Sequence, residues 1–312
     1  MTPLDDDTIA RLRDAAMWPE LPGARYRIIS RLARGGMGTV YAAKDTLLNR
    51  DVAIKVSNAA RIAATDTHAL DARLNDEAGI LARLEHPGIV PVHDAGTLGD
   101  GRSFYVMKLV HGRTLADSID TLPDRSARIG VFERIVETVA FAHAAGVVHR
   151  DLKPSNVMIG GFGEVLVLDW GVARVLATDV ATASADDGLR LGTPGFTAPE
   201  QHDGGAATAG PSADVYALGA LLQWMLGDLP RTKRLQATID KCRALQPADR
   251  YDSAAALAAD LARERAGQSV AAYQDTWLDH AGAWFSRHRV VIGLVLAYLL
   301  MRMAFLFFSQ RT

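Results

Sequence analysis

The chain has 312 residues, 49% of them hydrophobic, and a formal net charge of −2 at pH 7. This length suffices for one large domain or two modest ones with a full core, and the balanced charge gives no reason to expect nucleic acid as a partner. Cys242 is the only cysteine, which excludes an intramolecular disulfide, and the acidic N-terminal stretch lacks the apolar segment of a secretory signal.

Residues 1–24 are a polar lead, which we expect to be an N-terminal extension. The sequence then becomes typical of strands: YRIISRLA and GTVYAAKD flank a glycine cluster, and DVAIKVS follows a short turn at Asn49 and Arg50. This pattern predicts three successive antiparallel strands.

The glycine cluster lies within RLARGGMGTVYAAKD, residues 31–45. It contains Gly35, Gly36 and Gly38, and Ala33 stands where the pattern Gly-x-Gly-x-x-Gly would begin. Because the cluster joins two predicted strands, it does not fit a dinucleotide-binding loop, which leads from a strand into a helix. Taken alone, the cluster is either a backbone cradle for phosphate, where missing Cβ atoms allow close approach, or a plain tight hairpin.

The elements that follow are mainly helical. Helices are predicted over residues 66–84, 126–145, 213–226 and 253–265, with one further buried strand over residues 103–110. Strands therefore dominate the first third of the chain and helices the rest. This order predicts an α+β protein with two unequal lobes and not an alternating parallel sheet.

The C-terminal stretch from Val290 to Phe308 is apolar except for Arg302. A helix of this length extends over about 28 Å, close to the apolar thickness of a bilayer. We therefore predict a transmembrane helix; the alternative is a buried helix of a soluble core. Arg287 and Arg289 precede the stretch, and the positive-inside rule then places the N-terminal part in the cytoplasm.

Several short motifs bear chemistry. Lys55 ends the apolar stretch VAIK, and Glu77 begins the apolar face of the next predicted helix. We expect the two to pair because a buried lysine needs a counter-charge, although a solvated strand-end lysine is the alternative. Further motifs follow in the order HRDLKPSN (149–156), DWG (169–171), GTPGFTAPE (192–200), SADVYALG (212–219) and PADRY (247–251).

These motifs, spread over residues 26–267, make the chain similar to the eukaryotic-like (Hanks-type) protein kinases, and it resembles their bacterial serine/threonine branch in particular. The resemblance implies a bilobal fold with a small β-rich N-lobe and a helical C-lobe. It implies that Asp151 orients the attacking hydroxyl and that Lys153 neutralises charge on the transferred phosphoryl group. Lys55 and Glu77 would complete the catalytic set.

The resemblance also implies the cofactors ATP and Mg²⁺ or Mn²⁺. Asn156 and Asp169 would bind the metal through their side-chain oxygens. The ATP pocket would include the glycine cluster, strand positions and the hinge, with Asp117 near the ribose. Its expected residues are Leu32, Ala33, Arg34, Gly35, Gly36, Met37, Gly38, Val40, Ala53, Lys55, Met107, Lys108, Val110, Asp117, Met158 and Asp169.

The sequence departs from the family pattern at several positions. Ala33 replaces a loop glycine, Trp170 replaces the phenylalanine of Asp-Phe-Gly, and Lys108 stands where relatives often have glutamate. The indole N–H of Trp170 is expected to need a partner. The stretch from Asp228 to Arg250 is short, so the resemblance says least about substrate docking.

Within the family pattern, Asp214 would steady the catalytic loop and Glu200 would pair with Arg250. Arg150, directly before Asp151, implies regulation by phosphate on the activation segment, which lies between Asp169 and Glu200. The candidate acceptors are Thr178, Thr182, Ser184, Thr193 and Thr197. Alternatively, these hydroxyls only solvate a mobile loop.

We therefore expect a membrane-anchored serine/threonine protein kinase that transfers the γ-phosphate of Mg-ATP to protein hydroxyls and autophosphorylates, with a homodimer allowing transfer in trans. The alternatives are a membrane-tethered pseudokinase that acts as an ATP-binding scaffold, and a small-molecule kinase. The expected location is the inner (cytoplasmic) membrane, with the kinase domain in the cytoplasm. The expected bounds are 25–110 for the N-lobe, 111–267 for the C-lobe, 268–289 for a juxtamembrane segment, 290–308 for the transmembrane helix and 309–312 for a tail.

Overall fold

The structure, a computed structural model, describes residues 18–36, 38–58, 64–171, 173–175, 193–202, 210–274, 276 and 288–309. Its smaller lobe is built on a five-stranded antiparallel sheet with the order β1-β2-β3-β5-β4. The elements of this lobe are β1 (Tyr26–Arg34), β2 (Gly38–Asp45), β3 (Arg50–Ser57), α1 (Ala64–Arg83), β4 (Val92–Thr97) and β5 (Ser103–Lys108).

The two faces of this sheet have different partners. On β3, Ile54 and Val56 pack in an apolar cluster on one face, with Trp18 and Leu21 from the N-terminal lead against it. Since side chains alternate along a strand, Lys55 points to the opposite face. The turn between β2 and β3 contains Asn49 with φ of 50°, a left-handed conformation that asparagine tolerates. The predicted three-stranded meander is confirmed.

The larger lobe is mainly helical and carries a small sheet of order β6-β8-β9. Side chains cap three of its long helices: Asp124 accepts from Ala127 N, Thr232 from Leu235 N, and Ser253 from Ala256 N. Its elements are β6 (Gly112–Thr114), α2 (Leu115–Ser118), α3 (Arg125–Ala144), β7 (Val147–Val148), β8 (Val157–Gly160), β9 (Val165–Val167), β10 (Arg174–Val175), α4 (Pro199–His202), α5 (Pro211–Leu226), α6 (Lys233–Cys242) and α7 (Ala254–Arg265).

One apolar core joins the two lobes. Leu74 and Leu81 of α1 belong to the same buried cluster as Phe132 of α3 and Leu221 of α5, and so does Leu84 directly after α1. Helix α1 therefore packs against the large lobe as well as against the sheet, and it connects the two. The predicted α+β, two-lobed fold is confirmed, and the predicted helices match α1, α3, α5 and α7 to within about two residues.

The C-terminal helix α8 spans Arg289–Ser309. None of the helices in the described ranges combines the length with the apolar character that a membrane span requires, so the transmembrane prediction is not confirmed. The helix nevertheless exposes large apolar side chains, namely Leu294, Val295, Leu296, Tyr298, Leu299, Leu300, Met301 and Met303.

Candidate active site

Lys55 stands between two carboxylates at the cleft. Its Nζ lies 2.8 and 2.7 Å from the two carboxylate oxygens of Glu77 and 3.2 Å from Oδ1 of Asp169. Lys55 and Glu77 are both buried, and Tyr105 donates its hydroxyl to Glu77 over 3.0 Å. The predicted ion pair is confirmed, and the solvated alternative for Lys55 is wrong because α1 brings Glu77 directly over β3.

Charge governs the protonation of these groups. Burial alone would lower the pKa of Lys55, but the charges of Glu77 and Asp169 outweigh burial and raise it. Burial raises the pKa of Glu77 and so favours the neutral acid, whereas the Lys55 ammonium favours the carboxylate. Because Lys55 Nζ lies within 3 Å of both carboxylate oxygens of Glu77, we interpret the two side chains as an ion pair and not as neutral groups.

The catalytic loop follows β7 and presents Asp151. Lys153 Nζ donates to Oδ2 of Asp151 over 2.7 Å, and Asn156 Nδ2 donates to the same oxygen over 3.0 Å. Asn156 Nδ2 also donates to the main-chain oxygen of Asp151 over 2.8 Å. The structure therefore brings together the three predicted residues of this motif, with one carboxylate oxygen of Asp151 held by two donors.

Asp214, in the first turn of α5, supports this loop from below. Its carboxylate accepts the main-chain N–H of His149 over 2.8 Å and that of Arg150 over 2.7 Å, and the His143 ring nitrogen Nε2 lies 2.8 Å away. Burial alone would raise the pKa of Asp214, but the contacts with His143 and His149 lower it. Asp214 thus remains a carboxylate, and its predicted role is confirmed.

Arg150 has φ of 70°, an unfavourable conformation for a residue with a Cβ that surrounding contacts must maintain. Asp214 binds its N–H. Gln201 Nε2 donates to its C=O over 3.2 Å, while Gln201 Oε1 accepts from Ala198 N over 3.1 Å. Gln201 was not predicted. It joins the end of the activation segment to the peptide that leads into Asp151.

Asp169 and Trp170 lie where the cleft meets the large lobe. Trp170 is fully buried, its indole N–H donates to Val167 O over 3.2 Å, and its ring lies 4.6 Å from the His149 ring. The indole therefore has the partner that it needs. Asp169 has φ of 59°, and the Lys55 charge lowers its pKa although burial opposes this.

The glycine cluster forms the predicted hairpin. Gly35 N donates to Gly38 O over 2.9 Å. A Cβ on Gly38 would lie 2.8 Å from Val56 O, whereas a Cβ on Gly36 would meet nothing within 4 Å. Gly38 is therefore needed for close packing against β3, and Gly36 leaves open space at the tip.

The other expected pocket residues fall on both sides of the cleft. In the sheet register, Val40 faces Lys55 and Ala53 faces Met107. Asp117 is exposed and caps α2 with Thr114, whose hydroxyl donates to its carboxylate over 2.6 Å. Of the remaining positions, Leu32, Ala33 and Arg34 lie at the end of β1, Lys108 ends β5, Val110 follows it and Met158 lies in β8, and Met37 lies outside the described residues.

The donor set at Asn156 and Asp169 fits magnesium. Because Asn156 directs its Nδ2 at Asp151, its amide oxygen faces elsewhere, and the Asp169 side chain is half exposed. Within the described ranges, no three His, Cys, Asp or Glu side chains gather as a metal cluster. Two protein oxygens agree with a cation that takes its other ligands from phosphate and water.

The end of the activation segment is fixed to the large lobe. Arg250 donates to the two carboxylate oxygens of Glu200 over 2.7 and 2.8 Å, which confirms that predicted pair. Thr197 is buried and donates to Thr193 O over 3.0 Å. The other candidate acceptors, Thr178, Thr182 and Ser184, lie outside the described residues.

Comparison with known proteins agrees with this geometry. A family model described as "Protein kinase domain" matches residues 26–260. The chain is 32% identical over 297 residues to the serine/threonine-protein kinase PknD of Chlamydia caviae, covering 78% of this chain and 31% of that protein. It is 35% identical over 270 residues to PknL of Mycobacterium bovis, covering 76% of this chain and 65% of that protein.

A solved structure is also similar. The kinase domain of Mycobacterium tuberculosis PknI matches with a TM-score of 0.58 and 25% identity, covering 78% of this chain and 96% of that domain. The chain spans only about a third of the length of its Chlamydia caviae relative. Since the family model covers well over half of the chain, the chain belongs to the protein kinase family, together with the bacterial serine/threonine kinases.

Proposed function

We propose that the protein is an active serine/threonine protein kinase that transfers the γ-phosphoryl group of Mg-ATP to hydroxyls of protein substrates. The observation that carries this proposal is the contact of Lys55 with both Glu77 and Asp169. This contact connects β3 of the small lobe with α1 and with Asp169, one of the two expected metal ligands. Phosphoryl transfer by this family requires these groups to be in place together.

Each residue then has a distinct task. When bound, Mg-ATP would supply the transferable phosphoryl group, and its metal ion, held by Asn156 and Asp169, would neutralise part of the phosphate charge. Lys55 holds a positive charge in the cleft, Asp151 accepts the hydrogen bond of the incoming hydroxyl, and Lys153 keeps a second positive charge 2.7 Å from that carboxylate. Positioning and charge therefore provide the catalysis, with no covalent intermediate on the protein.

The first prediction concerns Asp151. The substitution Asp151→Asn removes the carboxylate that would accept the substrate proton but keeps the shape of the side chain. Phosphoryl transfer should therefore fall by about 10²–10⁴-fold. Binding of Mg-ATP should change little because Asp151 faces the hydroxyl. Transfer of labelled γ-phosphate to a generic protein substrate and nucleotide affinity measure the two effects. Asp100→Asn in the exposed turn before β5 is the matched control and should behave as wild type; equal transfer by both variants would contradict the proposal.

The pseudokinase alternative predicts ATP binding without turnover. Its motivation was Ala33, Trp170 and the short stretch after Asp228. In the structure Trp170 is buried with its N–H bonded, and the short stretch contains the helix α6. These contacts favour a competent site. The motif GTPGFTAPE (192–200), which resembles a platform for a protein substrate, likewise disfavours a small-molecule substrate.

We further propose autophosphorylation of the activation segment in trans, by a second copy of the chain. Of the two described acceptors, Thr193 is half-buried, whereas the Thr197 hydroxyl is buried and already bonded. Thr193 is thus the more accessible of the two. Phosphosite mapping of the wild type after incubation with Mg-ATP tests this, and active protein without phosphate at any of the five candidate acceptors would contradict it.

We also propose that α8 anchors the protein to the inner (cytoplasmic) membrane with the kinase domain on the cytoplasmic side. Its support is the large exposed apolar surface of α8, which is unfavourable in water. Arg302 lies within this helix and could reach the headgroups through its long side chain.

A further inference from the structure

Asn58 lies directly after β3 and contacts the glycine loop from the side. Its Nδ2 donates to Gly35 O over 2.7 Å, and its Oδ1 accepts the hydroxyl of Thr39 over 2.8 Å. Thr39 is itself buried in β2. One amide therefore joins the two arms of the glycine hairpin, since Gly35 precedes the tip and Thr39 follows it.

The contact at Gly35 O also orients the next amide. In a planar trans peptide, the C=O of one residue and the N–H of the following residue point in opposite directions. Fixing the carbonyl of Gly35 at Asn58 therefore fixes the N–H of Gly36. The N–H of Gly35 is occupied by Gly38 O, whereas among the described residues no main-chain acceptor of the hairpin is paired with the N–H of Gly36.

Such a restraint matters because little surrounds Gly35 and Gly36 on the side where a Cβ would lie. A Cβ on Gly36 would meet no atom within 4 Å, and one on Gly35 would meet only Gly38 O at 3.7 Å. Glycines without packing partners lose much conformational entropy when a ligand orders them. A hydrogen bond that orders the tip before binding reduces this loss on binding.

We propose that Asn58 is a positioning residue that orders the glycine loop for the phosphates of the nucleotide, with Thr39 holding the Asn58 amide in its orientation. The proposal rests on the proposed function, because it assumes that the loop covers a nucleotide. Asn58 itself contacts the loop and not the reacting atoms.

The test uses the full chain and Mg-ATP. Asn58→Asp keeps an acceptor for Thr39 but places an oxygen against Gly35 O, so the dissociation constant and KM for Mg-ATP should rise about tenfold. Thr39→Val removes the hydroxyl that orients the amide and should raise both about threefold. Thr39→Ser should restore wild-type values, and kcat at saturating ATP should stay within about twofold of wild type.

A matched control removes another side-chain contact between the same two strands. Lys44 and Asp51 are cross-strand partners at the far end of β2 and β3, with Nζ 3.1 Å from Oδ1. Asp51→Asn should leave ATP affinity unchanged. If Asn58 and Thr39 act as one unit, the double variant Asn58→Asp, Thr39→Val should bind no more weakly than Asn58→Asp alone.

The outcomes separate this inference from the proposed function. Unchanged ATP affinity in Asn58→Asp, an equal loss in Asp51→Asn, or additive effects in the double variant would overturn the role of Asn58, even if the wild type transfers phosphate. Conversely, a wild type that binds Mg-ATP in an Asn58-dependent manner but transfers no phosphate would support the role of Asn58 and refute the kinase activity.

Discussion

The guanidinium of Arg250 binds three separate parts of the large lobe at once. Besides both carboxylate oxygens of Glu200, it donates to the main-chain oxygens of Ser212, Ala244 and Leu245 over 2.9, 2.8 and 3.1 Å. Arg250 is buried, whereas a quarter of the Glu200 side chain is exposed. Loss of Glu200 therefore leaves a buried cation with only neutral partners.

This arrangement gives a prediction for stability. Glu200→Gln should lower the free energy of unfolding at pH 7 by roughly 2–3 kcal/mol, somewhat less than the loss expected for a fully buried pair. Urea unfolding measures the change. Glu164→Gln, at the exposed turn between β8 and β9, serves as control and should stay within about 0.5 kcal/mol of wild type.

The same pair predicts a pH dependence. Burial would raise the pKa of Glu200, but the Arg250 contact lowers it below its ordinary value. A group with a lowered folded pKa stabilises the fold above its unfolded pKa, about 4.3, and loses this contribution as the pH falls through the folded pKa. The gap between wild type and Glu200→Gln should therefore shrink below about pH 4.3; a constant gap would contradict the ion pair.

At the scale of single residues, the charged site residues could be predicted from the sequence, whereas the contacts of the side-chain amides of Asn58 and Gln201 could not. Lys55, Asp151 and Asp169 stand in dense motifs whose spacing carries the chemistry. Asn58 and Gln201 act through contacts with main-chain carbonyls 23 and 51 residues away. No local pattern marks such an amide, because its partner is an atom that every residue has.

Two glycines in long helices differ sharply in their surroundings. Gly219 of α5 faces α6, where an added Cβ would overlap Cβ of Cys242 and lie 3.0 Å from Arg243 Cγ; an added Cβ on Gly130 of α3 would meet nothing within 4 Å. The first glycine allows two helices to approach closely. The second only weakens its own helix.

Alanine substitutions should therefore act in opposite directions. Gly219→Ala should destabilise the protein by about 1–3 kcal/mol, because overpacking against α6 exceeds the gain in helix propensity. Gly130→Ala should stabilise it by up to about 1 kcal/mol. Thermal unfolding of both variants beside wild type measures this, and a rise of the melting temperature in both would show that the α5–α6 contact yields freely.

The two longest elements that the sequence interpretation missed, β4 and α6, are polar. Strand β4, with the sequence VHDAGT, forms one edge of the sheet and has no apolar run. Helix α6 was hidden in the stretch thought to be shortened, although Leu235, Thr238, Ile239 and Cys242 recur at helical spacing and are buried. That spacing could have revealed α6, whereas β4 depends on pairing with β5.

At the scale of the whole molecule, the contacts of Asp260 define where the kinase fold ends on its C-terminal side. The predicted bound is residue 267, but Asp260 accepts the N–H of Ala271 over 2.9 Å and that of Ala272 over 3.1 Å, and Val270 is buried. The buried carboxylate of Asp260 would lose these two donors in a chain cut at 267. A truncation meant to keep the fold should therefore end after residue 276.

The proposed anchor can be tested with this boundary in mind. Removing residues 288–312 deletes α8 and keeps the partners of Asp260, so the protein should move from the membrane pellet to the soluble fraction with its melting temperature unchanged. Removing only residues 310–312 is the control and should leave the protein in the pellet. Full-length protein that stays soluble without detergent would exclude anchoring, and release by alkaline carbonate would indicate surface binding and not a span.

The hydrogen bonds of Asp214 predict slow amide exchange at two residues of the catalytic loop. Main-chain amides in irregular segments commonly exchange with solvent deuterium quickly, since local opening suffices. The main-chain N–H groups of His149 and Arg150 donate to the fully buried carboxylate of Asp214, which lies in the largely buried helix α5. Their protons should exchange as slowly as those of α5, and Asp214→Asn should accelerate both, so amide exchange measures directly how firmly the main chain before Asp151 is held.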